Sequence, residues 1–368
     1  LVAAGFAVAL MSAGIGAAAG LDVQQHCPAP GTRAAVKVVQ PIASPQSVAG
    51  LPADSIEQIA AKVLPSVVRL QTDLGNDGVQ GSGIILTADG LIMTNNHVVS
   101  AAVEAGQTGQ GGAHTSVRFN DGRTAPFTVV ATDPTTDIAV VQAQGASGLT
   151  PIATGSSADL RVGQHVVAVG SPLGLDGTVT TGIISALDRP VSSVDAGSRN
   201  PPTTFDAIQT DAPINPGNSG GALVDEDGRL IGMNSAIASM GNSSVAESGS
   251  VGLGFAIPVG EAMRVADELI ATGKVSHASL GVQVGADANV QGAQIVGVTS
   301  GGPAAVAGLP TDAVITKVDH QLIDSAEALV AAVQSKAPGV TVTVGYLDPA
   351  GVSRTTQVVL GTEQPQRS

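Results

Sequence analysis

Along most of the chain, apolar residues come in short runs bounded by Gly, Asp and Asn, and the runs fall into two sets. The first covers 66–72, 83–87, 91–94, 115–119, 127–132 and 138–142; the second covers 164–170, 178–187, 205–210, 221–224, 230–236 and 252–257. Runs of this length at hairpin-like spacing predict strands, and two such groups predict two antiparallel β-barrels packed together. Helical periodicity interrupts the pattern at defined places. Asp54 and Glu57 have the spacing of a capping box, with Ile56, Ile59, Ala60 and Val63 in phase behind them and Pro65 as the stop. After Pro258 a second helix is predicted, with Ala262, Met263, Ala266, Leu269 and Ile270 on one face and Gly273 at its end.

From Ser279 the pattern becomes a smaller mixture, with strands at 280–284, 294–298, 314–318, 340–346 and 355–360, a short helix at 303–307 and a longer one at 325–336. This is the make-up of a compact α+β domain. At the other end, residues 1–21 form an uncharged apolar run long enough to span a bilayer as a helix, and a transmembrane anchor is expected there. The next stretch is rich in Pro, Ala, Ser and Gln without periodicity, which suits a disordered linker. The expected organisation is an anchor at 1–21, a linker at 22–53, a mainly β unit at 54–273, an α+β unit at 277–361 and a polar tail at 362–368.

Composition narrows the function classes. With no Trp, one Tyr, five Phe and 47 Gly, the apolar content rests on Ala, Val, Ile and Leu, in keeping with a β protein with tight connections. A net charge of −14 without a basic stripe argues against nucleic acid as a partner. The lone cysteine, Cys27, permits no intrachain disulfide. The histidines are scattered and no dinucleotide or phosphate-loop pattern occurs, so neither a metal nor an organic cofactor is expected.

A serine in water is a poor nucleophile, and a catalytic one needs an open turn where a base reaches its hydroxyl and backbone N–H groups face the reacting oxygen. Asn215-Pro216-Gly217-Asn218-Ser219-Gly220-Gly221 supplies such a turn, although the same dipeptides also make ordinary loops. The base would be an imidazole oriented by a carboxylate. Of the six histidines, His26, His114, His277 and His320 fall in tether, loop or C-terminal settings that read as solvated, and His165 starts a strand. His97 follows a strand and an Asn95-Asn96 break and opens a short helix, at the rim of the first barrel. Among the carboxylates, Asp137 leads straight into the apolar run 138–142, whereas Asp133, Asp121 and Asp89 sit in turn-like settings where solvation is the default. Placement alone leaves His97 with Asp137 as one pairing among several.

Thr94-Asn95-Asn96-His97-Val98-Val99, Thr136-Asp137-Ile138-Ala139-Val140 and the segment from Gln209 through Ser219 to Gly221 resemble, in order, the three catalytic motifs of the HtrA/Deg family of serine proteases. Gly252-Leu253-Gly254-Phe255-Ala256-Ile257-Pro258 matches a further segment of that family, and the similarity runs from about Ser55 to Gly361. It looks most like the membrane-anchored actinobacterial members. The resemblance implies a chymotrypsin-like double β-barrel and a serine endopeptidase with His97, Asp137 and Ser219 as its triad. The oxyanion hole would be the backbone N–H groups of Gly217 and Ser219, and Ser235, Ala236 and Ile237 the strand facing the substrate. Also implied are unfolded or misfolded protein substrates on the extracytoplasmic side of a membrane and a homotrimeric assembly.

Two departures from trypsin-like digestive enzymes refine this. Pro213 stands where those enzymes carry the acidic floor of the specificity pocket, so a basic residue at the cleaved bond lacks its charge partner and small or medium aliphatic residues are expected instead. Asn218 stands where zymogen-activated relatives have an Asp that pairs with a newly cut terminus, so the implied activation is rearrangement of loops such as 189–204 and 236–251.

Ser279-Leu280-Gly281-Val282 ahead of a strand, with the helix at 325–336 opposite, resembles a PDZ domain of the circularly arranged bacterial type. Such a domain adds a peptide as an extra strand. Leu280, Gly281 and Val282 would receive the C-terminal carboxylate on their N–H groups, with Leu329 or Val333 lining the pocket. The alternative function is a chaperone-like or scaffold binding protein on the same fold, against which the intact His97, Asp137 and Ser219 weigh.

Overall fold

The computed structural model describes residues 55–73, 78–108, 114–171, 177–193, 203–236, 250, 252–285 and 291–363. The expected anchor, the linker with Cys27, most of the C-terminal tail and large parts of the loops at 189–204 and 236–251 lie outside the described residues. Among the described residues no helix is long and apolar enough to cross a membrane.

Helix α1 (Ile56–Val63) is capped by Ser55, whose Oγ accepts from the Gln58 N–H at 3.3 Å, so the cap sits one residue after the expected Asp54. Seven strands with one intervening helix follow: β1 (Val67–Asp73), β2 (Gly78–Ile85), β3 (Leu91–Thr94), α2 (Asn96–Thr108), β4 (His114–Arg118), β5 (Thr124–Ala125), β6 (Phe127–Asp133) and β7 (Ile138–Ala143). They form one antiparallel sheet in the order β5-β4-β1-β2-β3-β7-β6, and Thr115 Oγ1 of β4 donates to the Phe127 carbonyl of β6 at 2.5 Å, tying its two ends together. The second half comprises β8 (His165–Gly170), β9 (Thr178–Ser193), β10 (Thr203–Thr210), β11 (Ala222–Val224), β12 (Leu230–Ser235) and β13 (Gly254–Pro258), closed into a barrel in the order β10-β13-β12-β11-β8-β9.

The period-2 geometry of a strand explains why several central runs are apolar without alternation, since both of their faces are covered. In β7, Ala139 and Val141 enter the core of the first sheet while Ile138 and Val140 enter a separate core between the two halves. In β8, Val166 and Ala168 fill the second barrel while Val167 and Val169 turn to the same shared core. Helix α3 (Val259–Thr272) closes that core with Val259, Ala262, Val265, Ala266 and Leu269, and stops at Gly273, whose φ of 74° is the left-handed cap the sequence signals.

The C-terminal unit consists of β14 (Ala278–Ser279), β15 (Val282–Gly285), β16 (Ala293–Val298), α4 (Pro303–Val306), β17 (Val314–Val318), β18 (Gln321–Leu322), α5 (Ala326–Gln334), β19 (Thr341–Leu347), β20 (Ser353–Val359) and β21 (Gly361–Thr362). Its main sheet runs β15-β16-β17-β19-β20, with β18 on β17 and β14 paired to β21. Ser325 caps α5 through its Oγ, which accepts from the Ala328 N–H at 3.1 Å, and both Leu329 and Val333 lie in the core of this unit.

Helix α5 also lies against β9 and β10 of the second barrel, and polar groups of both units meet nearby. His277 and Asp133, both expected to be solvated, instead form a pair, with Asp133 buried, His277 half-buried and His277 Nε2 3.0 Å from Asp133 Oδ1. The difference has a local cause: His277, which leads into the second unit, comes back onto the end of β6 where Asp133 sits. Gln321 Nε2 donates to Asp206 Oδ1 at 2.9 Å, and Glu261 is buried with neither carboxyl oxygen hydrogen-bonded among the described residues. Burial pushes Asp206 up from 3.8 to about 6, against the hydrogen bond from Gln321. Burial likewise pushes Glu261 up from 4.5 to about 8, against the nearby Arg264 and with help from Asp206 and Asp133. For His277, burial acts downward but the hydrogen bond and charge of Asp133 outweigh it, and the net direction is up.

All three shifts have the same sign. A folded state that holds its protons more tightly than the unfolded chain is favoured below the unfolded pKa and loses that advantage as pH rises through the folded one. For Asp206 the window runs from 3.8 to about 6 and for Glu261 from 4.5 to about 8. Thermal melts are therefore expected to fall steadily from pH 4.5 to 8, by on the order of a few kcal/mol in total. Glu261→Gln should flatten the upper part of that slope, and an unchanged slope would contradict the assignment.

Candidate active site

The site is built where β3 ends. Thr94 is the last residue of β3, Asn95 turns the chain, and Asn96 opens α2, which places His97 in the first turn of that helix. Opposite it, Asp137 occupies the left-handed region with φ of 58°, a conformation Asp tolerates better than most residues but one that still needs support. The support is local: the Asn96 N–H at 3.1 Å and Asn95 Nδ2 at 3.0 Å both donate to the Asp137 carbonyl. Just upstream, the Asp133 carboxylate accepts from the Thr136 hydroxyl and, at 3.3 Å, from its N–H. The seam partner of His277 thus also fixes the turn that delivers Asp137.

Held this way, the Asp137 carboxylate does two things at once. Oδ1 accepts the His97 backbone N–H at 3.0 Å, satisfying one of the free donors at the start of α2. The same carboxylate lies 3.0 and 2.9 Å from His97 Nδ1 through its two oxygens. A carboxylate against Nδ1 puts the proton on that nitrogen and leaves Nε2 as an acceptor. Asp137 is 1% exposed, and Ser235 Oγ adds a third contact to Oδ2 at 3.4 Å.

Ser219 stands on the turn formed by the heptapeptide. The Asn218 N–H donates to the Asn215 carbonyl at 2.9 Å, and Gly217 at the third position of that turn has φ of 96°. Pro at the second position and a positive-φ glycine at the third define a type II turn. A type I turn over the same four residues would differ by a flip of the Pro216–Gly217 peptide, so the positive φ at Gly217 decides which way its N–H faces. Gly220 is equally constrained, since a Cβ there would sit 2.2 Å from the Ser82 carbonyl oxygen. The Ser219 hydroxyl accepts from the Ala236 N–H at 3.0 Å, and among the described residues no hydrogen bond joins it to His97. Ser235 on Asp137 and Ala236 on Ser219 are consecutive, so the end of β12 ties the His97 and Asp137 pair to the serine turn. Ile237 lies outside the described residues.

Asn218 is buried beside Gly170, with its Oδ1 unpartnered among the described residues and Pro213 exposed nearby. In the C-terminal unit, Gly281 has φ of 72° and its N–H donates to Ser279 Oγ at 3.1 Å, while the Leu280 and Gly281 carbonyls accept from Ala304 and Thr299. Of the three N–H groups expected to face a carboxylate, that of Gly281 is thus already engaged. Val282 begins β15, the edge strand of its sheet.

Sequence reasoning missed Ser82, Thr94 and Asn95, which grip the serine turn and Asp137 from the first half. The available signal was Gly81-Ser82-Gly83 inside an apolar run, where a Cβ at either glycine would lie 2.6 Å from a Val98 or Ile92 methyl.

Residues 81–233 match the trypsin-like peptidase domain family and residues 278–351 match the PDZ domain family. The serine protease PepD of Mycobacterium tuberculosis is 60% identical over 356 residues, covering 96% of this chain and 76% of that protein. A probable periplasmic DegP-like serine endoprotease of Halomonas elongata is 42% identical over 270 residues, covering 70% of this chain and 52%, about half, of its own length. Among solved structures, the HtrA-type protease AlgW with a tripeptide superimposes with a TM-score of 0.60 at 35% identity, covering 84% of this chain and 98% of that one. A peptidase segment, a PDZ segment and near full-length similarity to a mycobacterial serine protease together mean that this chain belongs to the HtrA/Deg family of serine proteases.

Proposed function

We propose that this chain is an endopeptidase in which Ser219 is the nucleophile, His97 the general base and acid, and Asp137 the residue that orients His97. The observation that carries the reading is the paired contact of Asp137 with His97 Nδ1 at 3.0 and 2.9 Å, joined to the Ser219 turn through Ser235 and Ala236. Ser219 Oγ leaves the Ala236 N–H, attacks the carbonyl carbon of a peptide bond and passes its proton to His97 Nε2. Asp137 stabilises the resulting imidazolium, the N–H groups of Gly217 and Ser219 hold the developing oxyanion, and His97 then protonates the departing amine. A water deprotonated by His97 releases the acyl group. Since the Ser219 hydroxyl is bonded to Ala236 at rest, activation includes its rotation toward His97.

Ser235, Ala236 and Ile237 flank the substrate, and the uncharged setting of Pro213 favours small or medium aliphatic residues at the cleaved bond. The PDZ unit takes C-terminal peptides as a strand beside β15, with Leu280, Gly281 and Val282 at the carboxylate end; peptide-bound AlgW supports a peptide-binding role. The periplasmic DegP-like relative supports an extracytoplasmic setting, in which residues 1–21 anchor the chain to the membrane and the substrates are unfolded or misfolded envelope proteins. The working assembly is a homotrimer, and the boundaries of the two units are 54–273 and 277–361. Intact His97, Asp137 and Ser219 favour proteolysis over a chaperone-like role.

Ser219→Ala should abolish digestion of an unfolded protein such as casein, and Asp137→Asn should lower kcat by about 10⁴ while leaving the fold intact. Equal digestion by Ser219→Ala and the unmodified protein would refute the triad. In a peptide panel varied at the cleaved residue, Val, Ile or Ala should exceed Arg and Lys in kcat/KM; a preference for Arg would remove the argument from Pro213.

A further inference from the structure

Ser82 lies in β2 and is completely buried, yet its hydrogen bonds go to the serine turn and its surroundings. Its Oγ donates to the Gly217 carbonyl at 2.6 Å and accepts from the Ser171 N–H at 2.8 Å. Its backbone N–H donates to the Ser219 carbonyl at 2.8 Å, and its own carbonyl accepts from Thr94 Oγ1 at 2.7 Å. One residue of the first half therefore holds both ends of the Gly217–Ser219 stretch, with Thr94 of β3 and Ser171 after β8 bracing it on either side.

The two grips differ in what they fix. The peptide plane that carries the Ser219 N–H is held independently, because the Asn218 carbonyl accepts from the Gly221 N–H at 2.9 Å and the Ser219 carbonyl from the Ser82 backbone. The next plane toward the N-terminus, Gly217–Asn218, has its carbonyl on the Ser82 hydroxyl. The Gly217 N–H belongs to the preceding Pro216–Gly217 plane, which meets this one at the Gly217 Cα with φ of 96°, so holding the carbonyl restrains one side of that joint. The side chain of Ser82 thus acts on the Gly217 end of the turn and on Ser171, while its backbone grip on Ser219 survives any substitution that keeps the N–H.

We infer that Ser82 is a positioning residue for the oxyanion hole, its hydroxyl fixing the Gly217 N–H relative to that of Ser219; this rests on the proposed role of Ser219 as nucleophile. The hydroxyl touches neither substrate nor reacting atoms. Its contribution is to the geometry of one donor, which matters only when negative charge develops on the carbonyl oxygen. Loss of the hydroxyl should therefore appear in kcat and not in substrate binding.

The test compares the full chain with Ser82→Ala, using a chromogenic aliphatic peptide, a peptide aldehyde whose hemiacetal oxygen occupies the hole, and a fluorophosphonate label, alongside thermal melts. Ser82→Ala should lose about 10- to 100-fold in kcat with KM within about twofold, and its aldehyde affinity should fall in step with kcat/KM. Ser82→Thr, which keeps a hydroxyl, should recover most of that loss. An unchanged kcat in a folded Ser82→Ala, or a loss confined to KM, would overturn the inference. Should Ser82→Ala lack a cooperative melt, Ser82→Cys, near-isosteric with only a weak donor, carries the same comparison with the same outcomes. Failure of fluorophosphonate to label Ser219 in the unmodified protein would instead refute the underlying triad, which keeps the two failures distinct.

Discussion

The site depends on one carboxylate doing the work of a helix cap and a base orienter together. Asp137 accepts the first-turn N–H of α2 and the imidazole of the same residue, so the direction of the helix and the direction of the ring cannot be set independently. This is possible because the Asp137 backbone is left-handed, which turns its side chain back across the end of β3, and because Asn95 and Asn96 offset the cost of that conformation by binding its carbonyl. A capped helix is stiff, and a ring held by both oxygens of a buried carboxylate has little rotational freedom. The first half thereby presents a fixed Nε2 to a serine supplied by the second.

Much of this was legible in the sequence, and the reason is periodicity. The apolar runs of β7 and β8 fall where they do because each strand feeds two cores, and such runs cannot be mistaken for half-exposed strands. The proposed triad was legible through motif order, and the type II turn through Asn-Pro-Gly-Asn. The remainder depends on tertiary packing. Nothing local marks Asp133 and His277 as partners, since they stand 144 residues apart in the chain. Ser82 is marked only by its flanking glycines, and its significance arises from partners 135 and 89 residues away in the chain. The cap of α1 is Ser55, one residue past the expected Asp54, an offset within the one or two residues by which helix ends commonly differ.

The seam between the units has a character unlike either core. Beside the contact of α5 with β9 and β10 stand Asp206, Glu261, Asp133 and His277, groups whose charge is costly to bury. Protonation and pairing of these groups enter the stability of the contact, and the Asp133 pair sits one hydrogen-bonded turn from Asp137 through Thr136. The arrangement makes the junction sensitive to pH in a way that the apolar core between the seven-stranded sheet and the closed barrel is not.

The closing of the second barrel has a consequence for biosynthesis. Strand β13 pairs with both β10 and β12, and so is the piece that completes the barrel on which Ser219 stands. His97, Asp137 and Ser219 are all made before it, yet they cannot be held in register until residues 254–258 have been added and α3 has covered the shared core. A nascent or prematurely ended chain therefore carries every chemical group of the protease without an assembled site. The order of the chain itself delays hydrolytic capability until almost the whole peptidase domain has been synthesised.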